Sequence, residues 1–126
     1  MKATFSTNEK LKRKKEIELL FSEGKSIAKY PIRLIYRKSI SEKNLPIQAA
    51  VSVSKRNFKK AVDRNRIKRL LRENYRKNKY LVGKNTTHHF TFMFLYTGNK
   101  MPDSIIVESK IKEILQKFSS KEIENQ

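Results

Sequence analysis

The sequence predicts an α+β domain in which helices cover a single, mostly antiparallel sheet of about four strands. Two kinds of apolar spacing point there. Period-two alternation marks residues 32–37 and the run Phe90-Thr91-Phe92-Met93-Phe94-Leu95-Tyr96 as strands, while stripes of helical spacing around residues 17–21, 67–75 and 107–118 mark three helices. At 126 residues and 14.9 kDa there is room for one modest core, so 1–126 reads as a single domain, with residues 1–8 and 120–126 expected to be flexible.

The first helix follows Lys12-Arg13-Lys14-Lys15: Ile17, Leu20 and Phe21 share a face and Gly24 offers a stop, with Leu11 off that face. Between residues 26 and 37 the period changes, and Ile32, Leu34 and Tyr36 alternate with Arg33, Ile35 and Arg37; Pro31 belongs at the start or edge of that strand. Residues 39–46, with Asn44 and Pro46, read as a connection, and residues 32–48 have room for a further strand. Ala49-Ala50-Val51-Ser52-Val53 is a short strand that delivers the chain into a basic helix. The run from His89 to Tyr96 is bounded by Gly83 to Thr87 before it and Gly98-Asn99 after it. The last helix opens after Pro102-Asp103-Ser104 and carries Val107, Ile111, Ile114, Leu115 and Phe118. The expected order is thus helix, strand, strand, helix, strand, helix.

Charge carries the functional reading. The formal net charge is +18 with a pI near 10.3, and it is uneven: between Lys55 and Lys79 twelve Lys or Arg face two acids, Asp63 and Glu73, a net +10 in 25 residues. That segment keeps helical apolar spacing, so its charge sits on a rigid element and its expected partner is a polyanion. With side chains turning by roughly 100° per residue, Ile67, Leu70, Leu71 and Tyr75 gather on one side. Asn65, Arg69, Arg72 and Arg76 gather opposite, flanked by Lys68 and Lys79. A merely solvated helix face mixes signs at i, i+4, whereas this row accepts like-charge repulsion, which favours binding over solvation. Arginine's planar fork grips phosphate bidentately or stacks on a base, and Asn65 adds a neutral donor and acceptor. Such a surface suits structured RNA better than lipid, because its apolar side is committed to a sheet; nothing resembles a helix-turn-helix or zinc module for duplex DNA.

Other chemistry is disfavoured. Without cysteine there are no disulfides or thiolate metal sites. No apolar stretch approaches roughly 18 residues and no cleavable signal opens the chain, so a cytoplasmic protein away from membranes is expected. His88 and His89 are neighbours in a strand and point to opposite faces, so they cannot share one ion. The acids are scattered, Glu73 is expected to pair with Lys77 or Arg69, and the three glycines, Gly24, Gly83 and Gly98, form no phosphate-cradling loop. No catalytic side chain and no metal ligand are expected.

The run Ser52-Val53-Ser54-Lys55-Arg56, followed by Ala61-Val62-Asp63-Arg64-Asn65-Arg66-Ile67-Lys68-Arg69-Leu70-Leu71-Arg72-Glu73, resembles the family of bacterial ribonuclease P protein subunits. Leu11-Lys12 and Leu20-Phe21-Ser22-Glu23-Gly24-Lys25-Ser26 resemble that family's opening helix and the glycine after it. The resemblance implies an α/β sandwich with a left-handed crossover around the basic helix, against the usual hand. It implies a partnership with a catalytic RNA that uses its own Mg²⁺ ions to remove the 5′ leader of precursor tRNA, with no cofactor bound by the protein alone. It further implies a protein that is monomeric when free and joins the RNA one to one.

By position, Lys55, Arg56, Arg64, Asn65, Arg66, Lys68, Arg69, Arg72 and Arg76 would face the catalytic RNA. Ile17, Phe21, Arg33, Tyr36 and Arg37 would form a cleft between the first helix and the sheet for the single-stranded leader. Ile17 stands where many members carry phenylalanine, and Phe21 by its helical spacing is equally a core residue. The competing reading is a ribosomal or general structured-RNA-binding protein using the same basic helix.

Overall fold

The computed structural model describes residues 14–39, 47–83 and 89–123. The expectations for Leu11-Lys12, for the connection at residues 40–46 and for His88 lie outside the described residues. In chain order the elements are α1 (Lys14–Glu23), β1 (Lys25–Lys29), β2 (Ile32–Ser39), β3 (Ile47–Val53), α2 (Ala61–Asn78), the single turn α3 (Tyr80–Gly83), β4 (His89–Tyr96) and α4 (Ser104–Phe118). A π-helical turn, Ser119–Ile123, follows α4 directly.

The α+β class holds, with two corrections. The single strand expected over residues 26–37 is a hairpin, β1 and β2, broken at Tyr30-Pro31, so the fourth strand precedes residue 32 rather than lying between 32 and 48. Pro31 has no N–H to continue a ladder, and its carbonyl instead accepts the Thr97 N–H at 2.7 Å and the Thr97 hydroxyl at 3.0 Å. The helix count also exceeds three, because α3 and the π turn are too short to carry an apolar stripe that could announce them.

Strand order is β1-β2-β4-β3. β1 with β2 and β2 with β4 are antiparallel, and β3 runs parallel to β4, reached through α2 and α3. The register sorts the side chains. Ile27, Ile32, Leu34, Tyr36, Ala49, Val53, Phe90, Phe92, Phe94 and Tyr96 face the layer formed by α2 and α4 and make the main core with Ile67, Leu71, Tyr75, Ile111, Ile114, Leu115 and Phe118. Ile35, Ala50, Met93 and Leu95 face the other way, where α1 covers them with Ile17 and Leu20 in a second, smaller cluster. α1 stops where it does because the chain must pass close to its own backbone: a Cβ at Gly24 would run into the Leu20 carbonyl oxygen and Ile35 Cγ2. At the start of α4, Asp103 Oδ1 accepts the Ile106 N–H at 2.9 Å and caps the helix.

The core is unusually aromatic at the end of α4. The Phe118 ring lies 4.9 Å from each of Tyr36, Phe90 and Phe92, in edge-to-face arrangements close to perpendicular. Tyr36 also donates its hydroxyl to Glu122 Oε2 at 2.9 Å, tying the π turn to β2, and Lys25 Nζ reaches the same oxygen at 3.4 Å. Burial, and then the Glu122 carboxylate, raise the Tyr36 pKa well above its ordinary 10.0. Above about pH 10 the unfolded chain therefore sheds a proton that the folded chain keeps, and stability falls as pH rises. Tyr36→Phe should flatten the decline of Tm between about pH 9 and 11 while costing about 1 kcal/mol at neutral pH through the lost hydrogen bond. Thermal melts across that range check it; an unchanged alkaline slope would refute the assignment. Part of the slope should remain, because burial and then Tyr30 also raise the Tyr96 hydroxyl.

Candidate nucleic-acid interface

α2 separates its two sides sharply. Ile67 and Leu71 are fully buried and Tyr75 is 1% exposed, with Leu70 partly buried beside them. Its axis is fixed by ring contacts from Tyr75 to Phe94 at 5.3 Å and to Phe92 at 6.2 Å. Asn65, Arg66, Arg69 and Arg72 are exposed, and Lys68 is half-buried at the flank. Among the described residues, none of the guanidinium groups of Arg66, Arg69 and Arg72 is held by an acid. They are three cations displayed by a helix whose other side is held in the core.

Three candidates have partners within the protein. Arg76 Nη2 donates to Glu73 Oε1 at 3.3 Å, so Glu73 pairs at i, i+3 with Arg76 rather than with Lys77 or Arg69 as expected. Such a surface pair contributes little stability but takes up part of the Arg76 charge. Arg64 is half-buried and its Nη1 donates at 2.8 Å to both the Phe58 and Lys59 carbonyl oxygens. Arg56 is exposed, and its backbone N–H donates to Ser54 Oγ at 3.1 Å. With Lys55, Lys59 and Lys60, Arg56 gives residues 54–60 four cations and no acid ahead of α2, whose entry at Lys60 has no side-chain cap.

Asn74 and Asn78 are buried members of α2 that residue type alone concealed. They continue the inward spacing of Ile67 and Leu71 by one and two turns, which is the signal that marks them. Each donates its Nδ2 to the carbonyl four residues back, Asn74 to Leu70 at 2.9 Å and Asn78 to Asn74 at 2.7 Å, while the buried Asn74 Oδ1 accepts no hydrogen bond.

The second candidate surface is divided by the sheet. Ile17 is half-buried on α1 in the small cluster, and Phe21 is 54% exposed, which removes it from the core. Arg33 and Arg37 point to the α1 side; Arg33 Nη1 donates to Ser26 Oγ at 3.2 Å, and Arg37 Nε donates to Glu23 Oε1 at 3.2 Å at the end of α1. Tyr36 does not join them. It shares the parity of Ile32 and Leu34, is 2% exposed, and packs on the opposite face of the sheet against Phe118. This corrects its expected place as an aromatic wall beneath α1. Tyr36 and Arg37 meet at the C-terminal end of β2, in a recess of about 200 Å³ lined also by Glu23, Lys25, Lys38, Phe90 and Glu122. The floor beneath α1 is instead Ile35, Ala50, Met93 and Leu95.

Among the described residues, no three of His, Cys, Asp and Glu gather as a metal ion requires. No helix among them is long and apolar enough to cross a membrane.

Comparison with known proteins points to one group. The ribonuclease P family model matches residues 5–119 of this chain. A ribonuclease P protein component of Porphyromonas gingivalis (strain ATCC 33277) is 37% identical over 118 residues, covering 90% of this chain and 86% of that relative. One from Thermotoga maritima is 34% identical over 84 residues, covering 67% of this chain and 68% of the relative. Among solved structures, the RNase P protein of Thermotoga maritima superposes with a TM-score of 0.69 at 24% identity, over 86% of this chain and 96% of that one. An RNase P protein of Staphylococcus aureus gives 0.69 at 19%, over 86% and 93%. At those identities the superpositions establish the fold.

Proposed function

Because the chain belongs to the ribonuclease P family, we propose that it is the accessory protein subunit of an endoribonuclease whose RNA partner performs the cleavage. The observation that carries this reading is the exposed row Asn65, Arg66, Arg69 and Arg72 on a helix whose other side is locked into the core. Lys55, Arg56 and Lys68 extend the row at its start and flank, and Arg76 continues it with its charge shared by Glu73. The row docks on the catalytic RNA by gripping phosphates, and its fixed geometry spares the ordering cost that a flexible basic tail would meet on binding.

The other side of the sheet receives the single-stranded 5′ leader of precursor tRNA. Phe21 offers an exposed ring at the rim of α1 for stacking, Ile17 supports it, and Arg33 reaches phosphate; Arg37 must share its charge with Glu23. Mg²⁺ held by the RNA would activate the water that hydrolyses the phosphodiester. Among the described residues no cluster of His, Cys, Asp or Glu gathers to hold that ion, and the part of this protein's cationic side chains is to neutralise phosphate repulsion so that RNA, substrate and ions come together at lower Mg²⁺. The protein acts in the cytoplasm, as a monomer when free and as one copy per RNA.

Mixing the protein with a bacterial ribonuclease P RNA and precursor tRNA at low Mg²⁺ should restore cleavage at the mature 5′ end, with no cleavage by the protein alone. Stimulation should fade steeply as salt rises. Binding of RNA without stimulation would favour a ribosomal or general RNA-binding role instead, and cleavage by the protein alone would overturn the division of labour.

A further inference from the structure

Arg64 lies inside the basic motif, yet its guanidinium is turned back on its own chain. Residues 54–60 are the segment it meets. They carry Lys55, Arg56, Lys59 and Lys60 with no acid among them, so the segment repels itself and supplies no ion pair to hold its shape. What holds it is a set of contacts to uncharged groups. The Phe58 N–H donates to the Ser54 carbonyl at 3.2 Å, and the Phe58 ring is buried at 5.9 Å from Tyr96. Asn57 Nδ2 donates to the Gly98 carbonyl at 3.2 Å.

Phe58 and Lys59 leave two carbonyl oxygens at the mouth of a helix that has no side-chain cap, and Arg64 Nη1 closes on both at 2.8 Å. A charged donor bonded to two carbonyls is stronger than a neutral one and spreads its own charge over their dipoles. One cation thereby fixes a segment presenting four others.

We propose that Arg64 is a positioning residue: it braces residues 54–60 so that Lys55, Arg56, Lys59 and Lys60 meet RNA phosphates in a preset arrangement, rather than serving chiefly as a phosphate contact itself. This rests on the RNA-docking role proposed above and deepens it, assigning to one arginine of the basic motif a task performed before RNA arrives. The gain is conformational. A segment of like charges that is already ordered loses less freedom on docking than one that must be ordered by the RNA.

The test uses Arg64→Met, which keeps the stem and removes the donors, and Arg64→Lys, which keeps the net charge but replaces the planar fork with a point charge on a shorter reach. In the free full-length protein, hydrogen exchange of the amides in residues 54–60 should speed up in both variants while β4 and α4 stay protected. Binding to ribonuclease P RNA should weaken by about tenfold in Arg64→Met.

A double-mutant cycle completes the test. Combined with Lys59→Ala, the Arg64→Met loss should be much smaller than the product of the two single losses, whereas Arg72→Ala with Lys59→Ala should multiply. Unchanged exchange together with multiplying losses would overturn the proposal and make Arg64 an ordinary phosphate contact. If Arg64→Met fails to fold, Arg64→Lys carries both measurements. If the unaltered protein does not bind the RNA, the docking role fails, while the exchange measurement still decides whether Arg64 braces the segment.

Discussion

Removing two charges from α2 with Arg69→Ala and Arg72→Ala together should weaken binding to ribonuclease P RNA by about 100-fold near physiological salt, on the basis of about 1.5 kcal/mol for each charge-assisted contact. Both side chains are exposed on the side of α2 away from Ile67 and Leu71, and among the described residues neither is held by an acid. Their loss therefore removes no contact that the fold uses. Relief of like-charge repulsion along the helix should leave Tm unchanged or slightly raised. If each arginine neutralises one phosphate of structured RNA, the plot of log Kobs against log salt should flatten by about 1.8 in slope. Filter binding over a salt series with parallel thermal melts checks all three. A fall in Tm matching the fall in affinity would contradict the assignment of these residues to the free side of α2.

Phe118→Ala should show the reverse pattern. The ring is fully buried and meets three other rings at 4.9 Å, and it stands at the end of α4, where the chain passes directly into the π turn anchored by Glu122. Truncation opens a cavity bordered by β2 and β4 that rigid strands cannot close. The expected cost is about 3–5 kcal/mol, equivalent to a fall in Tm of roughly 10–20 °C for a domain of this length. RNA affinity measured well below the new Tm should change little, and saturating RNA should recover much of the lost Tm, because a partner that binds only the folded chain stabilises it by mass action. A Tm within a few degrees of the original would mean that this end of the core relaxes freely.

The sequence disclosed most of this architecture wherever a period ran long enough to be read. α2, α4 and β4 carry 18, 15 and 8 residues; the α4 stripe matches the buried positions, that of α2 does so apart from Asn74 and Asn78, and β4 is buried on both faces. The hairpin at Tyr30-Pro31 was hidden because β1 buries only Ile27, leaving no alternation to recognise. At the site, helical angle alone sets Asn65, Arg69 and Arg72 on the side of α2 that is exposed, but it also sets Arg76 there, which is half-buried, and does not single out the exposed Arg66. The placement of Tyr36 is legible too, from its parity with Ile32 and Leu34, whereas its expected place in a cleft rests on the family resemblance and not on the strand pattern. The bond from Arg64 to two carbonyls depends on the path of residues 54–60, and an irregular connection has no period from which to infer it. Phe21 is ambiguous by helical spacing, which does not reveal that, among the described side chains of α1, Ile17 and Leu20 are the ones packed on the sheet.

The central position of β4 dictates an order of assembly. β4 is hydrogen-bonded to β2 on one side and to β3 on the other, although it is the last strand to be synthesised. On the ribosome, β1 and β2 can close as a hairpin early, whereas β3 and the cationic segment behind it emerge with no neighbour to pair against until residues 89–96 have left the exit tunnel. Throughout that interval the most positively charged stretch of the polypeptide is attached to unfinished structure and surrounded by ribosomal RNA. Completion of the sheet therefore waits on β4 entering between two strands that precede it in the chain.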